Sequence, residues 1–301
     1  MGRALIEAGH QFSLLEIAEE QGIPLRRLLV EGDAEALRST QVAQPALYYT
    51  GVALARLLLE GGVEPASAAG HSLGEYCAVV AAGSMAAEDG MRLVLERGRL
   101  MASAPEGTMA AVLGLELGVL EQLCRQASEG GECCVVANDN SPGQLVVSGS
   151  RLGVGRLAEL AKAAGARRVA PLKVGGAFHS PLMAGPARAF SKRVDQLSLD
   201  EPSFPVAAGV TGQLSSSSAE IRSGLRRQLE GSVRWTDAVR AIGQTGVGTF
   251  VECGPGSTLA GLIRRILPDA QTISVDSPES AERLLADAAA GDGPVALARR
   301  A

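Results

Sequence analysis

The chain of 301 residues has few aromatic side chains, few histidines and no cysteine spacing typical of a metal site. Phe, Trp and Tyr make up 3% of the sequence although hydrophobic residues make up 46%. We therefore expect a core of Ala, Val and Leu, as in helices packed on a parallel sheet. None of the three histidines lies near the adjacent Cys133 and Cys134. We predict no metal site, and we interpret the five cysteines as reduced thiols because their number is odd.

The sequence also lacks an excess of positive charge and a long apolar segment. A net charge of -5 argues against a nucleic-acid partner, since such proteins usually carry a basic surface. No apolar run approaches the roughly 18 residues that would span a membrane, and the first residues do not read as a signal peptide. These absences predict a cytoplasmic protein whose partners are neither nucleic acid nor membrane.

The most informative motif is Gly-His-Ser-Leu-Gly-Glu-Tyr at residues 70–76. The small residues at 66–69 predict a short buried strand before it, and residues 77–82 predict a helix after it. This order of strand, Gly-x-Ser-x-Gly and helix is typical of a nucleophile elbow, with glycines because the turn is too tight for side chains at both positions. We therefore expect Ser72 at the positive end of a helix, where backbone amides can bind a developing oxyanion.

Residues 108–174 differ in pattern from the rest of the chain. Strand-like and helical segments alternate there as β-α-β-β-α-β, the order of a ferredoxin-like unit. We therefore predict a ferredoxin-like subdomain at 108–174, inserted into a catalytic core formed by residues 1–107 and 175–301.

A serine nucleophile needs a base at neutral pH. His71 is adjacent to Ser72, so its ring should point away from the hydroxyl on a sharp turn. His179 lies in a loop with glycines, a proline and a phenylalanine, which favours a fixed conformation, and it is the best candidate base. The alternative is a histidine without a catalytic role. Glu75 and Glu252 are both candidate carboxylate partners for a triad, and the sequence does not select either.

Arg97 occupies an unusual place on a predicted helix. At about 100° per residue it falls near the middle of an apolar arc formed by Leu93, Val94, Leu100 and Met101. A guanidinium on a core-facing arc must find an anion, because an unpaired buried charge is costly. One interpretation is an internal carboxylate or a head group that reaches solvent. The other is a bidentate clamp for a substrate carboxylate.

Together, these residues resemble the malonyl-CoA:acyl carrier protein transacylase family, acyltransferases of fatty-acid and polyketide synthesis. The resemblance spans about residues 2–268. Its markers are the segments 44–47, 70–76, 96–98, 138–144, 177–180 and 252–256. Several ordered motifs at family-like spacing are far more specific than Gly-x-Ser-x-Gly alone.

The resemblance implies an α/β fold, with an α/β-hydrolase-like parallel-sheet core carrying the ferredoxin-like subdomain. It also implies that a malonyl group passes from malonyl-CoA to Ser72 and then to the phosphopantetheine thiol of acyl carrier protein. In that scheme His179 is the general acid and base, Arg97 binds the malonyl carboxylate, and the Leu73 amide donates to the oxyanion. Neither a metal nor a cofactor is expected, and we expect a monomer.

Further roles follow from the resemblance alone. The main-chain carbonyl near Gln228 would orient His179 in place of a triad carboxylate. Leu73 and Phe178 match the malonyl-selective pattern rather than the methylmalonyl one. The remaining candidate pocket residues are Gln44, Asn138 and Asn140.

Two departures from the family pattern lead to further expectations. The family opens with a strand and a Phe-Pro-Gly-Gln-Gly-Ser-Gln-like loop before the segment that residues 2–5 match, and the sequence as given shows neither. The loop's glutamine supplies a second oxyanion contact, whose loss typically costs about 10²–10³ in rate, and an unpaired sheet edge would result. In addition, Ala208 and Gly209 stand where relatives often carry Ser-Asn, which would remove a polar support near the site.

Three alternatives stay open at this point. A serine esterase or thioesterase would use the same elbow with water as acceptor, although it has no use for Arg97. A non-catalytic homologue that binds acyl carrier protein is the second alternative, because the opening strand and the oxyanion loop of the family are not seen in the sequence as given. A malonate decarboxylase acyltransferase subunit shares the chemistry.

Overall fold

The computed structural model of the chain describes residues 2–10, 13–32 and 35–291, together with residues 293 and 295. The N-terminal third is helical, as the sequence predicts. Its helices are α1 Arg3–Glu7, α2 Ser13–Glu20, α3 Leu25–Glu31, α4 Thr40–Glu60, α5 Gly74–Ala81 and α6 Ala87–Ala102. Helix α6 buries its apolar arc in the main core and keeps Arg99 outside, paired with Glu96.

The inserted segment forms the predicted β-α-β-β-α-β unit. Its elements are β1 Thr108–Leu113, α7 Leu117–Ala127, β2 Cys134–Ser141, β3 Gln144–Gly149, α8 Arg151–Ala163 and β4 Arg168–Pro171. The strands lie in the order β2-β3-β1-β4 and every neighbouring pair is antiparallel, with Ala111 opposite Val146 on one side and Ala170 on the other. The unit has a hydrophobic core of its own. This separate core supports our proposal that 108–174 is a subdomain within a core of 1–107 and 175–301.

The last part of the chain returns to the main body. Its elements are α9 Ala184–Asp195, β5 Val206–Ala207, β6 Leu214–Ser215, α10 Ser218–Arg227, α11 Trp235–Gln244, β7 Thr249–Cys253, α12 Thr258–Ile266, β8 Gln271–Val275 and α13 Pro278–Ala290. Short 3-10 turns lie at Ala36–Arg38 and Pro181–Met183. None of the described helices is long and apolar enough to cross a membrane.

The α/β fold class is confirmed, and the main body contains both parallel and antiparallel strand pairs, since β5 pairs with β6 antiparallel. β7 pairs with β8 in parallel, and Ala68 forms a parallel bridge with Val206. The strand expected at 66–69 is reduced to the single bridge at Ala68. β5 ends at Ala207 because the chain then turns, with the N–H of Ala208 bound to the carbonyl of Gln213, and continues into β6.

An apolar cavity of about 750 Å³ lies behind the elbow. Residues 66–70, strand β7 and residues of α4 and α11 line it. Among the described residues, β7 pairs with β8 alone.

Candidate active site

Ser72 and His179 adopt a backbone conformation that side chains rarely take. Their φ angles are 49° and 57°, and they are the two non-glycine residues with positive φ in the described part of the chain. Such strain persists only where the surrounding structure holds it, and it concentrates at functional sites. The strand–turn–helix context of 70–76 places Ser72 directly before α5.

The two glycines of the elbow have different roles. A Cβ on Gly70 would lie 1.8 Å from the carbonyl carbon of Gly74, whereas a Cβ on Gly74 would meet nothing within 4 Å. The expectation that both positions exclude side chains is therefore wrong for Gly74, because that residue already begins helix α5 and lies beside the cavity. Only Gly70 is required by close backbone approach.

We predict that Gly70→Ala lowers the melting temperature strongly, whereas Gly74→Ala leaves it within about 2 °C. Overpacking of this kind typically costs 1–3 kcal/mol or more, and about 1 kcal/mol shifts Tm by roughly 2–4 °C in a chain of this size. Thermal unfolding of the two variants beside the parent measures the difference. Equal melting temperatures for the two variants would contradict the geometry.

His179 contacts the serine hydroxyl directly. Its Nε2 lies 2.8 Å from Ser72 Oγ, while its Nδ1 lies 3.0 Å from the main-chain carbonyl oxygens of both Gln228 and Gly231. Two acceptors at Nδ1 require the proton there, so Nε2 is the unprotonated nitrogen that accepts from the hydroxyl. The carbonyl of Gln228 thus lies where the resemblance implied, and Gly231 supplies a second carbonyl that sequence reasoning missed.

The imidazole of His179 is held in its neutral form. Burial and then the positive charge of Arg97 lower its pKa from 6.5 to about 3. Removing an ionisable group from water disfavours its charged form, and a nearby cation acts in the same direction. His179 is therefore available as a base throughout the neutral and mildly acidic range.

Neither candidate carboxylate contacts His179. Glu252 accepts from the N–H groups of Leu259 and Ala260 at the start of α12. Glu75 accepts from the Gln228 side chain and from the Gly209 N–H. The site is thus a Ser–His pair oriented by carbonyl oxygens rather than a triad.

Arg97 is buried, with 1% of its surface exposed, and its guanidinium reaches the nucleophile. Nη2 lies 2.9 Å from Ser72 Oγ, Nη1 lies 2.6 Å from Gln44 Oε1, and Nε and Nη2 lie 3.2 and 3.1 Å from Gln228 Oε1. Within the described residues, no carboxylate forms an ion pair with it. The interpretation of Arg97 as a residue paired with an internal carboxylate, or with its head group in solvent, is therefore wrong. A buried cation held by neutral acceptors is poised for an anionic ligand.

The elbow also offers a backbone donor. The N–H of Leu73 directly follows the nucleophile at the N-terminal end of α5, and no described acceptor takes it. His71 points away from Ser72, as expected, with its Nε2 2.7 Å from Asn140 Oδ1 and its ring edge-on to Trp235. Asn140 thus supports the elbow through His71.

The other two candidates lie around this arrangement. Asn138 is buried on β2, where it forms a bridge with Val233 and so joins the inserted sheet to the main body beside Gly231. Phe178 is buried next to His179. Their roles in a pocket stay predictions.

Comparison with known proteins decides the family. The sequence-family model of the acyl transferase domain matches residues 10–280, which is most of the chain. The chain belongs to the acyl transferase family.

Curated relatives support the assignment. The acyl transferase is 40% identical over 261 residues to the malonyl CoA-acyl carrier protein transacylase of Bacillus subtilis, covering 86% of this chain and 82% of the relative. It is 39% identical over 269 residues to the protein of the same name from Escherichia coli K12, covering 88% and 87% of the two chains.

Solved structures agree with the fold. The malonyl CoA-acyl carrier protein transacylase of Coxiella burnetii superposes with a TM-score of 0.87 at 33% identity, over 95% of this chain and 93% of that one. A malonyl-transacylase in complex with a type II polyketide-synthase acyl-carrier protein gives a TM-score of 0.87 at 35% identity, over 95% of each chain.

Two features of the acyl transferase site escaped sequence reasoning. The hydroxyl of Tyr76 donates to Gln228 Oε1 over 2.9 Å, and its ring lies 5.6 Å from the guanidinium carbon of Arg97. The side chain of Gln228 contacts Arg97, in addition to the contact of its main-chain carbonyl with His179. The one available signal was Tyr76 itself, a polar aromatic residue beside Glu75 in the first turn of a helix that is apolar from residue 77 onwards.

One sequence expectation about support near the site is also corrected. Ala208 and Gly209 were expected to remove a polar support. Instead, the N–H of Gly209 donates to Glu75 Oε1 over 3.1 Å, and a Cβ at that position would lie 2.7 Å from Glu75 Oε2. The glycine supports the network through its backbone because it leaves room for the carboxylate.

Proposed function

We propose that the chain transfers a malonyl group from malonyl-CoA to the phosphopantetheine thiol of acyl carrier protein through a malonyl ester on Ser72. The names of the relatives support this substrate pair. The observation that carries the proposal is the buried guanidinium of Arg97, 2.9 Å from Ser72 Oγ. A fixed positive charge beside the nucleophile favours an acyl group that ends in a carboxylate.

In the first half-reaction, Ser72 Oγ attacks the thioester carbonyl while its proton passes to His179 Nε2. The Leu73 N–H, at the start of α5, is the proposed donor to the oxyanion. The C–S bond then breaks, and the sulfur of CoA leaves with the proton from His179. The charge that forms on the imidazole is stabilised by the two carbonyl oxygens at Nδ1 rather than by a carboxylate.

In the second half-reaction, the carrier-protein thiol gives its proton to His179 Nε2 and attacks the malonyl ester. The tetrahedral intermediate expels Ser72 Oγ, which recovers the proton from His179. None of these steps uses a cofactor. A cytoplasmic location belongs to the same proposal, on the basis of the sequence expectations above.

The proposal also explains how water would be disfavoured as the acceptor. Arg97 holds the acyl group by its far end, so the ester carbonyl keeps one orientation while the thiol approaches. An esterase or thioesterase acting on simple acyl groups would gain nothing from a buried cation at this place. The geometry therefore favours transfer of a carboxylate-bearing acyl group over hydrolysis.

We expect Arg97→Ala to lower kcat/KM for malonyl-CoA by about 10²–10³-fold, since a bidentate bond to a charged group contributes roughly 1.5–3 kcal/mol per hydrogen bond. Acetyl-CoA lacks the carboxylate, so its kcat/KM should change little. Intact-protein mass spectrometry of timed reactions measures formation of each adduct, and holo acyl carrier protein added afterwards measures transfer.

Arg99→Ala is the matched control, because Arg99 lies on the same helix, is exposed, and pairs with Glu96. It should behave as the parent with both substrates. No malonyl adduct on the folded parent, or an adduct that carrier protein cannot remove, would refute the proposed reaction. An unchanged malonyl preference in Arg97→Ala would refute the clamp.

A further inference from the structure

Glu75 is a buried carboxylate for which the proposed reaction has no use. It lies three residues after the nucleophile with 2% of its surface exposed. Its Oε2 accepts from Gln228 Nε2 over 2.8 Å, and its Oε1 accepts from the Gly209 N–H over 3.1 Å. Among the described residues, no cation lies within ion-pair distance of it. A buried anion and the buried cation of Arg97 therefore occur in one site without touching.

The side-chain amide of Gln228 lies between these two charges. Its Oε1 accepts from Arg97 and from the Tyr76 hydroxyl, while its Nε2 donates to Glu75 and, over 2.8 Å, to the carbonyl oxygen of Ser72. The amide dipole is thus aligned with its oxygen towards the cation and its nitrogen towards the anion.

The opposite orientation of this amide is disfavoured at both ends. Rotation by 180° would turn Oε1 towards two acceptors, the Glu75 carboxylate and the Ser72 carbonyl. It would also turn Nε2 towards the guanidinium of Arg97, which has only donors. Glu75 supplies the one full charge on the donor side of the amide, as Arg97 does on the acceptor side, so the two charges together favour the observed orientation.

We propose that Glu75 is a positioning residue that acts on acyl-group selectivity by fixing the amide of Gln228, which in turn holds the Arg97 guanidinium beside Ser72. This inference rests on the proposed malonyl transfer, because it assigns to Arg97 the recognition of the substrate carboxylate. Glu75 touches neither the substrate nor the reacting atoms.

The carboxylate has little freedom to serve any other partner. A Cβ on Gly209 would lie 2.7 Å from Oε2, and one on Gly224 would lie 3.7 Å from Oε1. Both oxygens receive donors, which favours the ionised form, although burial raises the pKa of Glu75 above its usual value. Gly209 leaves the room that the carboxylate needs, whereas a Cβ on Gly224 would be in ordinary contact with it.

The test compares selectivity for malonyl-CoA over acetyl-CoA, taken as the ratio of their kcat/KM values for adduct formation. We expect Glu75→Gln to lower this ratio by about tenfold or more, a loss within the range of one hydrogen bond to a charged group. The glutamine keeps the shape, but it either presents a donor to Gln228 Nε2 or leaves the Gly209 N–H without its acceptor. The hold on the Gln228 amide is then weaker, because only Arg97, Tyr76 and the Ser72 carbonyl still orient it. The decrease should come mainly from a higher KM for malonyl-CoA.

A second variant keeps the carboxylate and moves it. Gly209→Ala places a methyl group against Glu75 Oε2, so the carboxylate must shift off Gln228, and the selectivity ratio should again decrease. Glu252→Gln is the matched control, since Glu252 also accepts two N–H donors but contacts neither Gln228 nor Arg97. It should lower Tm and leave the ratio unchanged.

A double-mutant comparison separates positioning from general loss of structure. In the Arg97→Ala background, Glu75→Gln should lower the ratio no further, because the two residues act through one network. A ratio that Glu75→Gln or Gly209→Ala leaves at the parental value, while Arg97→Ala reduces it, would overturn the role of Glu75 alone. No malonyl adduct on the parent would instead overturn the proposed function itself.

Discussion

Ser72→Ala is expected to abolish the malonyl adduct and to lower transfer to carrier protein by about 10⁴-fold or more, the scale of losing a catalytic serine. No other hydroxyl in the described chain contacts the imidazole of His179. The helix and the Arg97 charge would still bind substrate, so binding should survive while the covalent step does not. Intact mass spectrometry and a carrier-protein transfer assay measure the two effects.

Ser84→Ala provides the control for this prediction. Ser84 is fully buried and donates to the main-chain carbonyl of Asp200 over 2.6 Å, away from the Ser–His pair. Its variant should form the malonyl adduct at the parental rate, even if it is less stable. A malonyl adduct that persists in Ser72→Ala would place the nucleophile elsewhere.

His179→Gln is expected to lower adduct formation by about 10²–10⁴-fold, the usual contribution of a general base. The glutamine keeps a polar side chain in the buried loop but cannot take the serine proton. Tm should stay close to that of the parent although the rate falls, because the hydrogen bond from the His179 N–H to the Leu229 carbonyl is retained.

The pH dependence of the parent follows from the same histidine. Protonation of His179 removes the base, so activity is lost as the pH falls through its pKa. With that pKa held at about 3 instead of 6.5, kcat/KM for malonyl-CoA should stay flat between about pH 7 and pH 5. Arg97→Ala removes one cause of the low pKa, so its acid limb should move to higher pH. Half-loss of parental activity near pH 6.5 would contradict the neutral, buried imidazole.

Much of the fold could be predicted from local patterns. The element order of the inserted β-α-β-β-α-β unit was predictable because its turns, alternating strands and helices each carry a local pattern, although only β2 and β3 are hairpin neighbours. The parallel strand pairs of the main body were harder to predict. Ala68 forms a bridge with Val206, and the whole insertion lies between them in the chain. Strand β5 is only two residues long because a turn follows it, and no sequence motif indicates that turn.

The site divides in the same way. The position of Ser72 follows from a seven-residue motif, and the buried position of Arg97 follows from the period of one helix. The loop around His179 made it the best candidate base, and the family resemblance added its acid and base role and the carbonyl near Gln228. Glu75 was visible as a charge in the motif, but the local pattern could not show whether it faces His179 or another group.

What the sequence by itself determined is the chemistry available: a strained serine, a loop histidine and an arginine on an apolar helix face. The tertiary structure alone decided how those groups are oriented. Tyr76 and Gln228 lie 152 residues apart in the chain, and Glu75 and Gly209 lie 134 apart. Hydrogen bonds between such distant positions depend on how the helices and strands pack, and local sequence patterns carry no information about that packing.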